Sequence, residues 1–212
     1  MSEVGLTARQ AGLKRAFDVV VSGAGIVVTW PVIAVATALA TLDTRQWGIF
    51  TQPRVGRDGE LFHVMKIRTM RRSSSVSTTV TAMNDPRITR LGALLRRLKI
   101  DELPQLVNVL RGEMSLVGPR PDVPGFADRL EGADRVILTL RPGITGPASL
   151  AYRHEEQILA VVDDPERHNR DVIWPDKVRI SRRYVENYSL MGDIRCLRDT
   201  ITIVLDRKGE SR

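Results

Sequence analysis

Residues 19–42 read Val19-Val-Val-Ser-Gly-Ala-Gly-Ile-Val-Val-Thr-Trp-Pro-Val-Ile-Ala-Val-Ala-Thr-Ala-Leu-Ala-Thr-Leu42, 24 positions without a charge between Asp18 and Asp43. As a helix this run is long enough to cross a bilayer core, which takes about 20 residues. No clear cleavage signal follows it, so a removed leader fits poorly. Pro31 stands just past the middle, where proline removes a backbone donor and crowds the preceding turn. Arg9, Lys14 and Arg15 precede the run, and Arg45, Arg54, Arg57, Lys66, Arg68, Arg71 and Arg72 follow it. Basic residues favour the cytoplasmic side of a membrane segment, and here both flanks ask for it. From the residues alone three placements stay open: one kinked spanning helix, a helix broken at Pro31 that dips into one leaflet and returns, or a buried helix of a soluble protein. The re-entrant form leaves carbonyls without donors at depth, and the Ser22 or Thr29 hydroxyl offers a local partner.

The whole chain has 212 residues and 23.7 kDa, enough for one compact domain and an extra element. Its 42% apolar content argues against wholesale disorder. Cys196 is the only cysteine, which excludes an intramolecular disulfide and a multi-cysteine zinc site. Three histidines, at 63, 154 and 168, make a histidine-rich metal cluster a poor expectation. The net charge of +7 is carried by 27 Arg and 5 Lys, and the guanidinium fork suits phosphate as well as a solvated surface. Between Arg54 and Lys99 there are 11 basic and 3 acidic residues, so the excess charge sits just after the apolar run. A surface drawn to anionic membrane lipid accounts for most of it. Convergence of a few of these side chains on a phosphorylated substrate is the sharper alternative. Nucleic acid is a weak expectation, because aromatic residues make up 5% and do not interleave with the charge. Neither common glycine-rich nucleotide motif is present.

The remaining pattern is mostly helical with a small β-hairpin element, an α+β chain. Gln52–Gly59 is rich in turn residues, and Glu60–Ile67 alternates as a strand does. Arg71–Met83 is a Ser/Thr-rich surface loop by composition. Ile88–Lys99 has helical spacing, with Leu91, Leu94, Leu95 and Leu98 on one side, and Pro104 opens a second short helix. Gly118, Pro119 and Pro121 exclude a long helix from Ser115 to Pro121. Asp122–Leu140 is expected to be largely helical, and Arg141–Pro147 a turn-rich loop. Further helices are expected near 152–162, 176–188 and 191–205.

Asp101-Glu102 directly follows Arg96, Arg97 and Lys99 and precedes the rigid Gly118-Pro-Arg-Pro121. Adjacent carboxylates are usually ordinary surface groups or lie in a helix's first turn. Amid arginines they stay ionised. Beside a phosphate site such a carboxylate can act as nucleophile, or hold Mg²⁺ against phosphate oxygens.

Six runs, in this order, give a more specific indication: Lys14-Arg-Ala-Phe-Asp18, Lys66-Ile-Arg-Thr-Met70, Asn84-Asp-Pro-Arg-Ile-Thr-Arg90, Asp101-Glu-Leu-Pro-Gln-Leu-Val-Asn-Val-Leu110, Gly112-Glu-Met-Ser-Leu-Val-Gly-Pro-Arg-Pro121 and Pro142-Gly-Ile-Thr-Gly146. Together they resemble the bacterial sugar transferase family, small monotopic polyprenyl-phosphate hexose-1-phosphate transferases, from about Lys14 to Thr202. The resemblance implies transfer of a sugar 1-phosphate from a nucleoside diphosphate sugar, by family habit a uridine one, to polyprenyl (undecaprenyl) phosphate. That reaction begins surface-glycan or exopolysaccharide synthesis at the cytoplasmic face of the inner membrane. It implies Asp101 as a nucleophile forming a covalent phosphosugar intermediate, Glu102 as a Mg²⁺ ligand, and Lys66, Arg96 and Arg120 near the phosphates. It also matches Pro31 to a helix break in a re-entrant membrane helix. The implied division is a tail over 1–13, a re-entrant helix over 14–44, a cytoplasmic catalytic domain over 45–205 and a polar tail over 206–212. Larger relatives carry an extra N-terminal membrane domain, so this chain looks like the catalytic unit. Asp43–Gly48 and Pro147-Ala-Ser149 depart from the family's usual residues, which leaves the donor open. Competing expectations are a catalytically silent homologue with a membrane assembly or regulatory role, and a membrane-attached nucleic-acid binder.

Overall fold

In the computed structural model the described residues are 5–71 and 85–206. The apolar run lies inside one long helix, α1 (Ala8–Thr44). Its start is fixed by a capping box: Gln10 N donates to Thr7 Oγ1, and Thr7 N donates to the Gln10 side chain at 2.9 Å. The expected break at Pro31 is not an interruption, because helical backbone continues through it. A proline costs one in-helix donor and crowds one turn, which long flanking helical segments can absorb by bending. The hydroxyls also act elsewhere than expected. Ser22 donates to Asp18 O and Thr29 to Gly25 O, so neither serves the Val27 carbonyl that faces Pro31.

Both ends of α1 are held by the same body. At one end Lys14, Asp18 and Ser22 are buried. Lys14 Nζ reaches Asp193 Oδ2 at 2.6 Å and Val117 O at 2.8 Å, and Asp18 Oδ1 accepts from Ser115 Oγ and Leu116 N. At the other end Ala36 and Ala40 pack with Ile67 and Leu95. Between them the outward face is apolar and bare, with Val28 75% and Trp30 60% exposed. A helix crossing a bilayer would carry one end about 30 Å from the other side's contacts. Here neither end leaves the globular part, which is a monotopic arrangement.

After α1, β1 (Ile49–Val55) and β2 (Leu61–Ile67) form an antiparallel hairpin with Ile49 opposite Ile67 and Val55 opposite Leu61. The strand expected from Glu60 is present. Gln52–Val55, expected among turns, is strand instead. A two-stranded hairpin leaves each strand an open edge, where Pro53's missing donor costs nothing. From Arg72 to Met83 the Ser/Thr-rich segment lies outside the described residues. The helix α2 (Arg90–Arg97) starts where Thr89 Oγ1 accepts from Gly92 N. Of its leucines Leu95 is buried and Leu94 exposed, so only part of the apolar side is core. Then α3 (Gln105–Arg111) ends at Gly112, whose φ of 82° needs glycine.

The chain then gives β3 (Ser115–Val117), parallel to β4 (Gly143–Thr145). The stretch expected to be only a loop over 141–147 thus contributes a strand. The helix expected over 122–140 is absent. Two 3₁₀ segments, Ala127–Arg129 and Gly132–Thr139, replace it. Pro124 and the left-handed Gly125 and Gly132 interrupt any regular α pattern there. Short helices α4 (Pro147–Ala151), α5 (Glu155–Ala160) and α6 (Pro165–His168) lead through a π turn at Asn169–Ile173 into α7 (Trp174–Glu186) and α8 (Leu190–Asp206). The three late helices expected from the sequence correspond to α5, α7 and α8. The main core joins Phe62 and Val64 of β2, Val109 of α3, and Met114, Leu116 and Val117 around β3.

Candidate active site

The dyad is presented by a turn the chain is forced to make. Lys99 sits at φ 57°, ψ 19°, a left-handed conformation uncommon for a residue with a side chain. It swings the backbone out of α2 into the 3₁₀ turn Ile100–Glu102, and Pro104 then leads into α3. Asp101 and Glu102 are 6% and 8% exposed. Lys66 comes from β2, which α3 holds through the fully buried Asn108. Its side chain donates to His63 O at 2.8 Å and accepts from Met65 N at 3.0 Å, completing the open edge of the strand. Arg120 comes from the segment after β3. There Gly118 N donates to Thr145 O and Gly143 N to Pro119 O, and two prolines limit the arginine's backbone.

The two carboxylates are not equivalent. Glu102 Oε1 accepts from Arg120 Nη2 at 3.1 Å and Lys66 Nζ at 3.2 Å, with Lys99 Nζ at 3.8 Å. Burial alone would raise its pKa, but Lys66, Arg120 and Lys99 hold it well below the usual carboxylate range. Asp101 Oδ1 is buried without a hydrogen-bond partner. Burial first, and the neighbouring Glu102 charge second, push Asp101 up to about 6, against Lys66, Lys99 and Arg96. Burial lowers the Lys66 pKa, while Glu102 opposes that shift. Thus one oxygen stands free beside a carboxylate saturated with cations.

Asp101, Glu102, Lys66, Arg96 and Arg120 all line one cleft of about 790 Å³. The structure therefore brings together every residue singled out in the sequence except Pro31, which belongs to α1. Arg71 is elsewhere, bound to Asp43. Other cleft residues escaped the sequence reading: Asp122, Tyr152, Glu155, Trp174 and Lys177. They come from the segment after β3, from the α4–α5 region and from α7. Only Asp122 had a local signal, two positions after Arg120.

The model of the bacterial sugar transferase family matches residues 9–207. The chain belongs to this family. It is 43% identical over 141 residues to a putative undecaprenyl-phosphate N-acetylgalactosaminyl 1-phosphate transferase of Bacillus subtilis, covering 61% of this chain and 79% of that protein. It is 38% identical to the undecaprenyl-phosphate glucose phosphotransferase of Komagataeibacter xylinus over 89% of this chain, but spans only 35% of that protein. The exopolysaccharide production protein ExoY of Rhizobium meliloti is 31% identical, over 92% of this chain and 87% of its own length.

For a divalent cation the donor set is sparse. Among the described residues no group of three or more His, Cys, Asp or Glu side chains converges. Mg²⁺ in phosphate chemistry needs less, one or two carboxylates with water and phosphate oxygens. Glu102 is one such carboxylate, with Asp101 beside it in the same cleft.

Proposed function

We propose that this chain transfers a sugar 1-phosphate from a nucleoside diphosphate sugar, with uridine the expected nucleoside, to undecaprenyl phosphate. An Asp101 oxygen attacks the phosphorus nearer the sugar. The bond from that phosphorus to the bridging diphosphate oxygen breaks, and nucleoside monophosphate leaves with the oxygen. An oxygen of undecaprenyl phosphate then attacks the same phosphorus, the aspartyl–phosphorus bond breaks, and the Asp101 carboxylate is restored. The observation that carries this reading is the inequivalent pair: Asp101 has an oxygen with no partner, and Glu102 gathers Lys66, Lys99 and Arg120 beside it. Those cations can pass from Glu102 to the substrate phosphates, while Arg96 lines the same cleft. Mg²⁺, held by Glu102 with Asp101 beside it, would supply further charge on the phosphate oxygens. The relatives' names point to the lipid acceptor and to exopolysaccharide synthesis. The basic flanks of α1 and the bare apolar face support a place on the cytoplasmic face of the inner membrane, against anionic lipid.

The test is the first half-reaction. Enzyme and donor without acceptor should release at most about one equivalent of nucleoside monophosphate in a burst, and the intact mass should rise by one phosphosugar, mapped to Asp101. Asp101→Asn should abolish both. Glu102→Gln should weaken both and leave activity that rises with Mg²⁺. A fully active preparation that gives no adduct under rapid quench would establish direct displacement and overturn the covalent step.

A further inference from the structure

The cleft extends beyond the dyad to a wall built by Asp122, Ser149, Tyr152, Glu155 and Lys177. Most polar groups there are committed. Lys177 Nζ donates to Glu155 at 2.6 Å, and the Tyr152 hydroxyl donates to Asp176 at 2.7 Å. Behind that wall the Arg54 guanidinium donates through Nη1 and Nη2 to Pro121 O and Gln52 Oε1, its buried Nε having no partner, and Arg120 donates to Glu102. Of the wall's own side chains, two are left over. Ser149 Oγ is buried with no hydrogen-bond partner. The Asp122 carboxylate feels Lys177, Arg54, Arg120 and Glu155 through charge alone, without a hydrogen bond from any described residue. Its backbone is fixed by Val55 N, which donates to Asp122 O at 2.9 Å.

An open carboxylate in this place is informative because it is wrong for a phosphate. It would repel the diphosphate that the neighbouring cations attract. It is right for a neutral group that donates hydrogen bonds, and a charged acceptor makes the stronger kind. On the function proposed above, the sugar is joined by one oxygen to the phosphorus that Asp101 attacks. Groups that read the sugar must therefore lie next to the phosphate-binding arginine. Asp122 follows Arg120 by two residues and senses its charge.

We propose that Asp122 and Ser149 form the subsite for the donor sugar, accepting and sharing hydrogen bonds from its hydroxyls and so setting donor preference. This rests on the nucleoside diphosphate sugar being the donor. Neither residue attacks phosphorus. Each binds the transferred group while Lys66, Arg96 and Arg120 hold its phosphates.

The experiment uses the full chain in nanodiscs with undecaprenyl phosphate and three donors, UDP-galactose, UDP-glucose and UDP-N-acetylgalactosamine. Nucleoside monophosphate release is followed, with UDP as a competitive inhibitor that lacks the sugar. Asp122→Asn should raise the KM of the preferred donor at least about tenfold, the value of a charge-assisted hydrogen bond. Ser149→Ala should raise it about threefold, and both should narrow the preference among donors. Inhibition by UDP should stay within about twofold of wild type. Equal weakening toward UDP and the donor would show that the residues act on the phosphates or the fold, and overturns the subsite. Unchanged donor KM in both variants overturns it as well. Should Asp122→Asn fail to fold, Ser149→Ala decides by the same comparison. Wild-type protein that neither turns over these donors nor is inhibited by UDP would refute the proposed function itself, whereas normal transfer with indifferent variants refutes only the subsite.

Discussion

Glu102 carries one methylene more than Asp101, and the two stand side by side, yet their surroundings drive them apart. Three cations within 4 Å keep Glu102 ionised, while Asp101 pays for its burial. On the proposed mechanism Asp101 must be deprotonated to attack, so formation of a covalent adduct should fall as pH drops through about 6, the value to which Asp101 is pushed. A single-turnover pH series measures this; a flat profile from pH 5 to 7.5 would contradict it. The stability sign is opposite. With a folded pKa above the unfolded value of about 3.9, the native state takes up the Asp101 proton first as pH falls. Ionised Asp101 therefore costs stability at pH 7, and the cost fades between about pH 6 and 4. Asp101→Asn should melt higher than wild type at pH 7, with the gap closing toward pH 4. The arginines separate by place. Arg120→Ala should cut transfer at least about tenfold, since a charge-assisted bond is worth roughly 1.5–3 kcal/mol. Arg71→Ala should stay near wild type, because the exposed Arg71 side chain binds half-buried Asp43 outside the cleft. Equal effects in steady-state assays would refute that division.

At the scale of elements, the site depends on two contacts that hold β3. One is the buried Lys14–Asp193 pair, which also takes in the Tyr184 hydroxyl and Val117 O. Lys14→Ala strands a buried carboxylate, and loss of one partner from such a pair costs about 3–5 kcal/mol. Thermal unfolding in detergent should show it, and adding Asp193→Asn should recover part of the loss. The other is the close approach of β3 and β4. A Cβ at Gly143 would collide with the Gly118 backbone, which cannot move without shifting Pro119 and Arg120. Gly143→Ala should therefore reduce both melting temperature and transfer, whereas Gly23→Ala, with open space around it, should leave both unchanged.

At the scale of the whole molecule, both ends of α1 belong to one body, so both should lie on one side of the membrane. In a Cys196→Ser background, cysteines at exposed Ala11 and Thr51 should both resist an impermeant thiol reagent in intact cells and react after lysis. Labelling of one alone before lysis would establish a spanning helix. The chain's own pattern determined much of this protein: the long apolar helix, the hairpin strand from Leu61, the leucine-spaced α2, and the ordered runs that mark the family, with Asp101, Glu102, Lys66, Arg96 and Arg120. The helices and the strand are local signals of period and turn residues, and the site residues came with the resemblance that the ordered runs carry. Four things were not local. The 3₁₀ path through 127–139 and the β3–β4 pairing arise where apolar positions such as Ile137, Leu138 and Val117 find partners far along the chain, and tertiary burial overrides local propensity. The unequal charging of Asp101 and Glu102 needs Lys66 and Arg120 brought in from distant elements. The far wall of the cleft joins Asp122, Ser149 and Lys177 across more than fifty residues. An electrostatic field falls off with distance in space, not along the chain, so only the folded molecule could decide which carboxylate is saturated and which is free.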